Sequence, residues 1–171
     1  MKSLNLVGAF FLTFFNMKYA RLTKEQFEEL HKEFINFLAT QTITAQEWED
    51  IKVNKPEVAE QELDVFSDLV WEGVLNKVLY IEHISPQQIH LFHLNDEHMH
   101  LIAIKIKNPI DLTTTDGFNW LRENLMDDDV EFLQAKKDYS DDKNADKFKL
   151  IQQGGVITKG DLFKYFDKLI N

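Results

Sequence analysis

At Lys77 the apolar residues of this 171-residue chain change their spacing, and that switch confines it to a mixed fold. Upstream the spacing is helical. Phe27, Leu30, Phe34 and Phe37 recur three or four residues apart and form one stripe of an amphipathic helix. Thr23 with Gln26 makes a capping box, in which each side chain satisfies an otherwise unpaired backbone N–H. Thr44 with Glu47 makes a second, opening a short helix through Trp48 and Ile51. Pro56 suits a first helical position, where its missing N–H costs nothing. From there Ala59, Leu63, Phe66, Val70 and Val74 line one face of a longer helix.

Downstream of Lys77 the period is two. Val78 to Ile84 reads as a strand, with Ser85-Pro86 as punctuation. Gln88–Leu94 and His98–Lys107 read as a hairpin around Asn95-Asp96-Glu97. Ile102, Ile104 and Ile106 lie on one side of it and Met99, Leu101 and Ala103 on the other. The sheet is therefore expected to be covered, at least in part, on both faces.

Asn108-Pro109 ends the strand. A helix follows with Phe118, Leu121 and Leu125 inward, then an acidic turn at Asp127-Asp128-Asp129 and a fourth strand from Val130 to Ala135. A polar excursion from Asp138 leads to a short helix over Asp146–Gln153, stopped by Gly154-Gly155. Thr158 with Asp161 starts a final helix whose apolar face is Leu162, Phe166 and Leu169. The expected class is α+β: N-terminal helices, a central mostly antiparallel sheet of three to four strands, and C-terminal helices, with residues 17–171 as one domain.

The first sixteen residues differ from this pattern. Lys2 precedes an apolar run from Leu6 to Phe15 that holds four of the fourteen phenylalanines. The run is too short to span a bilayer, which needs ~18–20 apolar residues. No small-residue cleavage site follows it. We expect translation to begin at Met17. A weak signal or anchor, or a packed N-terminal element, are the alternatives.

Composition narrows the function classes. The formal net charge is −10, with Arg21 and Arg122 as the sole arginines. That is the wrong balance for nucleic acid, whose recognition requires a basic face. The absence of cysteine excludes disulfide frameworks, thiolate metal sites and cysteine nucleophiles. There is no GxSxG, no GxGxxG and no phosphate-binding loop. The alternation Ser140, Asp142, Asn144 imitates a calcium loop, but Lys143 stands where its glycine belongs and Lys149 where its bidentate glutamate belongs.

The strings Lys18-Tyr19-x-Arg21-Leu22-Thr23-Lys24-Glu25, Thr44-Ala45-x-Glu47-Trp48, Phe66-Ser67-Asp68-x-Val70-Trp71-Glu72 and Ile157-Thr158-x-Gly160-Asp161-Leu162 carry a resemblance. The chain from about Met17 to its end resembles a small family of functionally uncharacterised bacterial proteins found in Bacteroidota. The resemblance implies a bacterial, cytosolic setting and no activity, cofactor or catalytic residue.

Histidine placement is the one unusual chemical feature. Five of the six histidines lie between His83 and His100. His98 and His100 share a strand face. A two- or four-residue loop sets His93 beside them, and a three- or five-residue loop sets His90 there instead. Three imidazoles plus water is a known zinc arrangement, so His93, His98, His100 and His90 are the candidate metal ligands. Structural histidines are the competing account, because the same face carries Ile102 and Ile104. The function expected is a non-enzymatic protein-interaction or regulatory module in the cytoplasm. It would engage an unidentified protein partner, with neither nucleic acid nor membrane and without a cofactor. The alternative is a metal-binding protein or metal-dependent hydrolase that uses a divalent transition metal such as zinc.

Overall fold

The computed structural model describes residues 17–171; the apolar segment 1–16, and with it the question of the start site, lies outside them. The chain divides into two compact units that meet in sequence at Glu72 and Gly73.

The first unit is helical. Helix α1 (Lys24–Glu29) and helix α2 (His31–Thr40) are separated by a bend at Leu30, where φ is −97° and ψ is 20°. The single expected stripe is thus split, but it still faces one way. Phe27, Phe34 and Phe37 come within 5.9, 5.1 and 5.3 Å of Phe66, ring centre to ring centre. Helix α3 (Ala45–Asn54) brings Trp48 edge-on to Phe34 at 5.3 Å. Both capping boxes form as expected, at Thr23 and at Thr44. Helix α4 (Pro56–Leu75) supplies Ala59 and Phe66 to the interior. Val74 does not join them: it is 39% exposed, and Leu75 is fully buried instead.

The second unit is built on an antiparallel sheet. Its strands are β1 (Tyr80–Ser85), β2 (Gln88–Leu94), β3 (His98–Ile106), β4 (Val130–Asp138) and β5 (Val156–Ile157). Their order is β4-β3-β2-β1-β5, so β2 lies at the centre. Five strands form where three to four were expected, because the two-residue β5 pairs with Ile81 and Glu82.

Helices cover both faces. On one, helix α5 (Thr115–Glu123) and helix α7 (Asp161–Ile170) bury Leu121, Phe163 and Phe166 against Ile89, Leu91, Ile102, Ile104 and Ile106. On the other, helix α6 (Lys143–Gln152) sets Leu150 and Ile151 against Val78, Ile81, Leu94, Phe92 and Met99.

Three boundaries differ from the sequence reading. Helix α6 starts earlier, because Asp142 is its N-cap and accepts from the Ala145 N–H at 3.0 Å. Strand β4 runs on to Asp138, paired throughout with β3. Helix α7 is not capped by Thr158. Gly160, in the left-handed region at φ 76°, precedes it, and the Thr158 hydroxyl accepts from the Gly160 N–H at 3.1 Å. A Cβ on Gly160 would stand 2.3 Å from the Tyr80 ring, so glycine is required there for space as well as for φ. The buried face of α7 is accordingly Phe163 and Phe166, and Leu169 is 47% exposed.

Candidate functional site

The hairpin turn decides which histidines meet. Asn95 Oδ1 accepts from the backbone N–H groups of Glu97 and His98 at 2.9 and 2.8 Å, an Asx turn that pins the loop. Leu94 then pairs with Met99, leaving four residues between them, and His93 faces His100 directly. His93, His98 and His100 therefore share the face that carries α5 and α7. His90 points to the opposite face, where it pairs with His83 across β1 at a ring separation of 6.2 Å.

A shared face does not make a shared ligand point. The His93 ring lies flat on Tyr80, 4.7 Å away and 12° from parallel. Phe163 is wedged against both His93 and His100, at 5.4 and 5.3 Å. His100 Nε2 sits 3.3 Å from Gln134 Oε1, and the His98 ring turns to Asn95 at 3.4 Å. Each ring has its own neighbour. Among the described residues, no three His, Asp or Glu side chains are placed where one metal ion could be held.

Burial pushes the His93 imidazole below its ordinary value, and the neighbouring His100 pushes it further. His90 is lowered likewise, by burial and then by His83. These are the electrostatics of rings held neutral within a core edge.

The more open feature lies on the α6 face. That helix covers the β1–β2 side of the sheet and reaches β3 at Met99. Beyond it Met99, Leu101 and Ala135 form an apolar floor that continues to Leu133, which is 58% exposed. Phe92 and Leu150 close the inner wall. The resulting cleft has a volume of about 340 Å³. Lys137 and Lys149 stand around it, a local positive field on an acidic chain. Asp146, also at the rim, is already engaged: it accepts from the Ser140 N–H at 2.7 Å and lies 3.7 Å from Lys149. Burial pushes its carboxyl up, but the Ser140 bonds and the Lys149 and Lys137 charges outweigh this and leave it below its ordinary value.

The sequence carried part of this feature. The apolar set Met99, Leu101 and Ala103 was visible on the second sheet face. Its extension through Leu133 and Ala135 depended on β4 being a full strand, and the lysines had no pattern to mark them.

The Lys18–Glu25 and Phe66–Glu72 strings have a structural explanation of their own in the first unit. The backbone N–H groups of Lys18 and Tyr19 donate to Asp68 at 2.7 and 2.9 Å. Leu22 N–H donates to Ser67 Oγ at 3.1 Å, and Trp71 Nε1 donates to the Ala20 carbonyl at 2.9 Å. Arg21 reaches Asp64 at 2.7 Å and also Glu60. Residues 18–22 are thus strapped along α4 by its own side chains.

These features define an α+β protein with a helical first unit and a sheet-based second one. The chain belongs to the family of unknown function DUF6495, whose model matches residues 17–171. No curated protein and no solved structure matches it significantly. Among the described residues, no helix is long and apolar enough to cross a membrane.

Proposed function

We propose that the protein is a non-enzymatic interaction module whose second unit receives an acidic, amphipathic segment of a partner protein. The observation that carries this reading is the cleft beside α6, with its apolar floor of Met99, Leu101 and Ala135 and its rim of Lys137 and Lys149. Apolar surface left open on a sheet face is costly unless something covers it. The lysines favour an acidic occupant and speed its approach.

A photo-crosslinking residue placed at Ala135, on the cleft, tests the proposal in cells that make the protein. The same residue at Val53, 77% exposed in the first unit, is the control. The expected result is a discrete adduct from position 135 that is absent from position 53 and lost when Lys137 and Lys149 are both replaced by Glu. Equal adducts from both positions, or an adduct indifferent to the two lysines, would refute the reading. The mass of the adduct separates a foreign partner from a second copy of this chain.

A further inference from the structure

Strand β4 is an edge strand nine residues long, and of the devices that blunt such edges it carries only charge, at Glu131, Lys136, Lys137 and Asp138. It pairs continuously with β3 from Val130 opposite Ile106 to Asp138 opposite His98, with no bulge. It contains neither proline nor glycine, and Leu133 to Asp138 are all exposed. The opposite edge, β5, is only two residues long. Proteins ordinarily shorten, bend, cover or interrupt such edges, because a bare row of N–H and C=O groups recruits another strand. Here only charge patterning is present, and the pattern is complementary to itself.

We propose that β4 pairs with β4 of a second copy of this chain, antiparallel about a two-fold axis through Gln134, joining two sheets into one. A two-fold axis perpendicular to the sheet keeps each face continuous, so paired residues must come from the same face. Centring on Gln134 is the register that pairs all nine residues. On the cleft face, Glu131, which its own chain's Lys107 already holds at 2.7 Å, then also lies opposite Lys137 of the partner subunit, and Leu133 lies opposite Ala135 of the partner subunit. Both contacts occur twice by symmetry. On the other face, Phe132 covers the stem of the partner's Lys136. Moving the centre to Ala135 sets Leu133 against Lys137 of the partner subunit. Moving it to Leu133 sets Asp138 against the partner's Asp128. Both shifts lose the Glu131–Lys137 pairs, and the second, although it brings Lys137 opposite the partner's Asp129, also opposes Asp138 to the partner's Asp128 twice. The pairing shares Leu133, Ala135 and Lys137 with the cleft, so a crosslink at Gln134, which does not line it, is what separates a second copy from a cleft occupant.

The chain has no cysteine, so a single introduced thiol reports the geometry without interference. At the axis, Gln134 meets itself with Cα atoms ~4.5–5.5 Å apart, within disulfide reach. Lys136 is offset from its own copy by four residues, roughly 13 Å. Mild oxidation of the full protein is therefore expected to convert Gln134→Cys to a covalent dimer and to leave Lys136→Cys monomeric. Sedimentation of cysteine-free protein gives the second readout. Lys137→Glu, at an exposed site that leaves the fold intact by circular dichroism, should weaken dimerisation roughly tenfold or more by opposing like charges across two pairs. The double swap Glu131→Lys with Lys137→Glu should restore it. A monomeric wild type, equal crosslinking at both cysteine positions, or a swap that fails to rescue the dimer overturns the proposal.

Discussion

Replacing Phe163 by Ala gives the sharpest test of how the second unit is held together. The side chain is 4% exposed and touches three rings, Tyr80 at 5.8 Å, His93 at 5.4 Å and His100 at 5.3 Å. Truncating a buried phenylalanine costs about 3–5 kcal/mol through lost transfer free energy and the cavity left behind. Helix α7 would then keep Phe166 as its one fully buried anchor among the described residues. Against a typical stability of about 5–15 kcal/mol, that is a large fraction.

The loss should also depend on pH, and its sign follows from His93. The folded-state value of His93 is lowered below 6.5 by burial and by His100. The folded state therefore binds fewer protons than the unfolded state as the pH falls through 6.5. The wild type loses stability across that window, and the loss levels off below the folded-state value. Opening the cavity hydrates His93 and lets its value rise, so the variant loses less on acidification. The gap between the two proteins should be widest near about pH 8 and narrower near about pH 5.5. Urea titrations followed by the indole N–H resonance of Trp120, which packs on the same cluster, measure this in the second unit alone. A gap below about 1 kcal/mol at the higher pH, or one that does not change with pH, would refute the reasoning.

Three further outcomes are expected. Gly160→Ala should destabilise by more than the usual glycine-to-alanine difference of ~1 kcal/mol, since it meets both a positive φ and the Tyr80 ring; thermal melts of the two proteins check this. Lys147→Met should cost about 1–3 kcal/mol, because the buried amine donates to the Leu75 and Val78 carbonyls at 2.9 and 3.0 Å, and a chemical denaturation midpoint at unchanged m reads the loss. Asp68→Ala should loosen Lys18 and Tyr19 from α4 and speed amide exchange at Tyr19, while Ile102 at the centre of the sheet keeps its protection.

Much of this architecture was legible in the chain, for reasons that differ by element. The capping boxes at Thr23 and Thr44 were readable because both partners lie within one helical turn. The β2–β3 hairpin was readable because alternation persists on both sides of its turn. Helix α7 was misread because its start is set from outside: the Tyr80 ring dictates Gly160, and the buried face then turns to Phe163. Strand β5 could not be read, since two residues show no period. The histidines were correctly gathered on a hairpin. Which of them share a face awaited the four-residue turn, and their engagement with Phe163 and Tyr80 is a tertiary fact. The cleft was hidden for the same reason, because it exists only where α6 stops short of β4.

The strand order also sets a timetable for synthesis. Strands β1, β2 and β3 follow one another through tight turns, so their pairing closes the shortest loops in the sheet. Strand β5 completes the β1 edge only after roughly 75 further residues have been made, since Ile81 waits for Ile157. At ribosomal rates of ~5–20 residues per second, the flank of β1 stays bare for roughly 4–15 s. A nascent chain with its central meander formed thus exposes Ile81 and Val78 to the cell before Leu150 and Ile151 arrive to cover them.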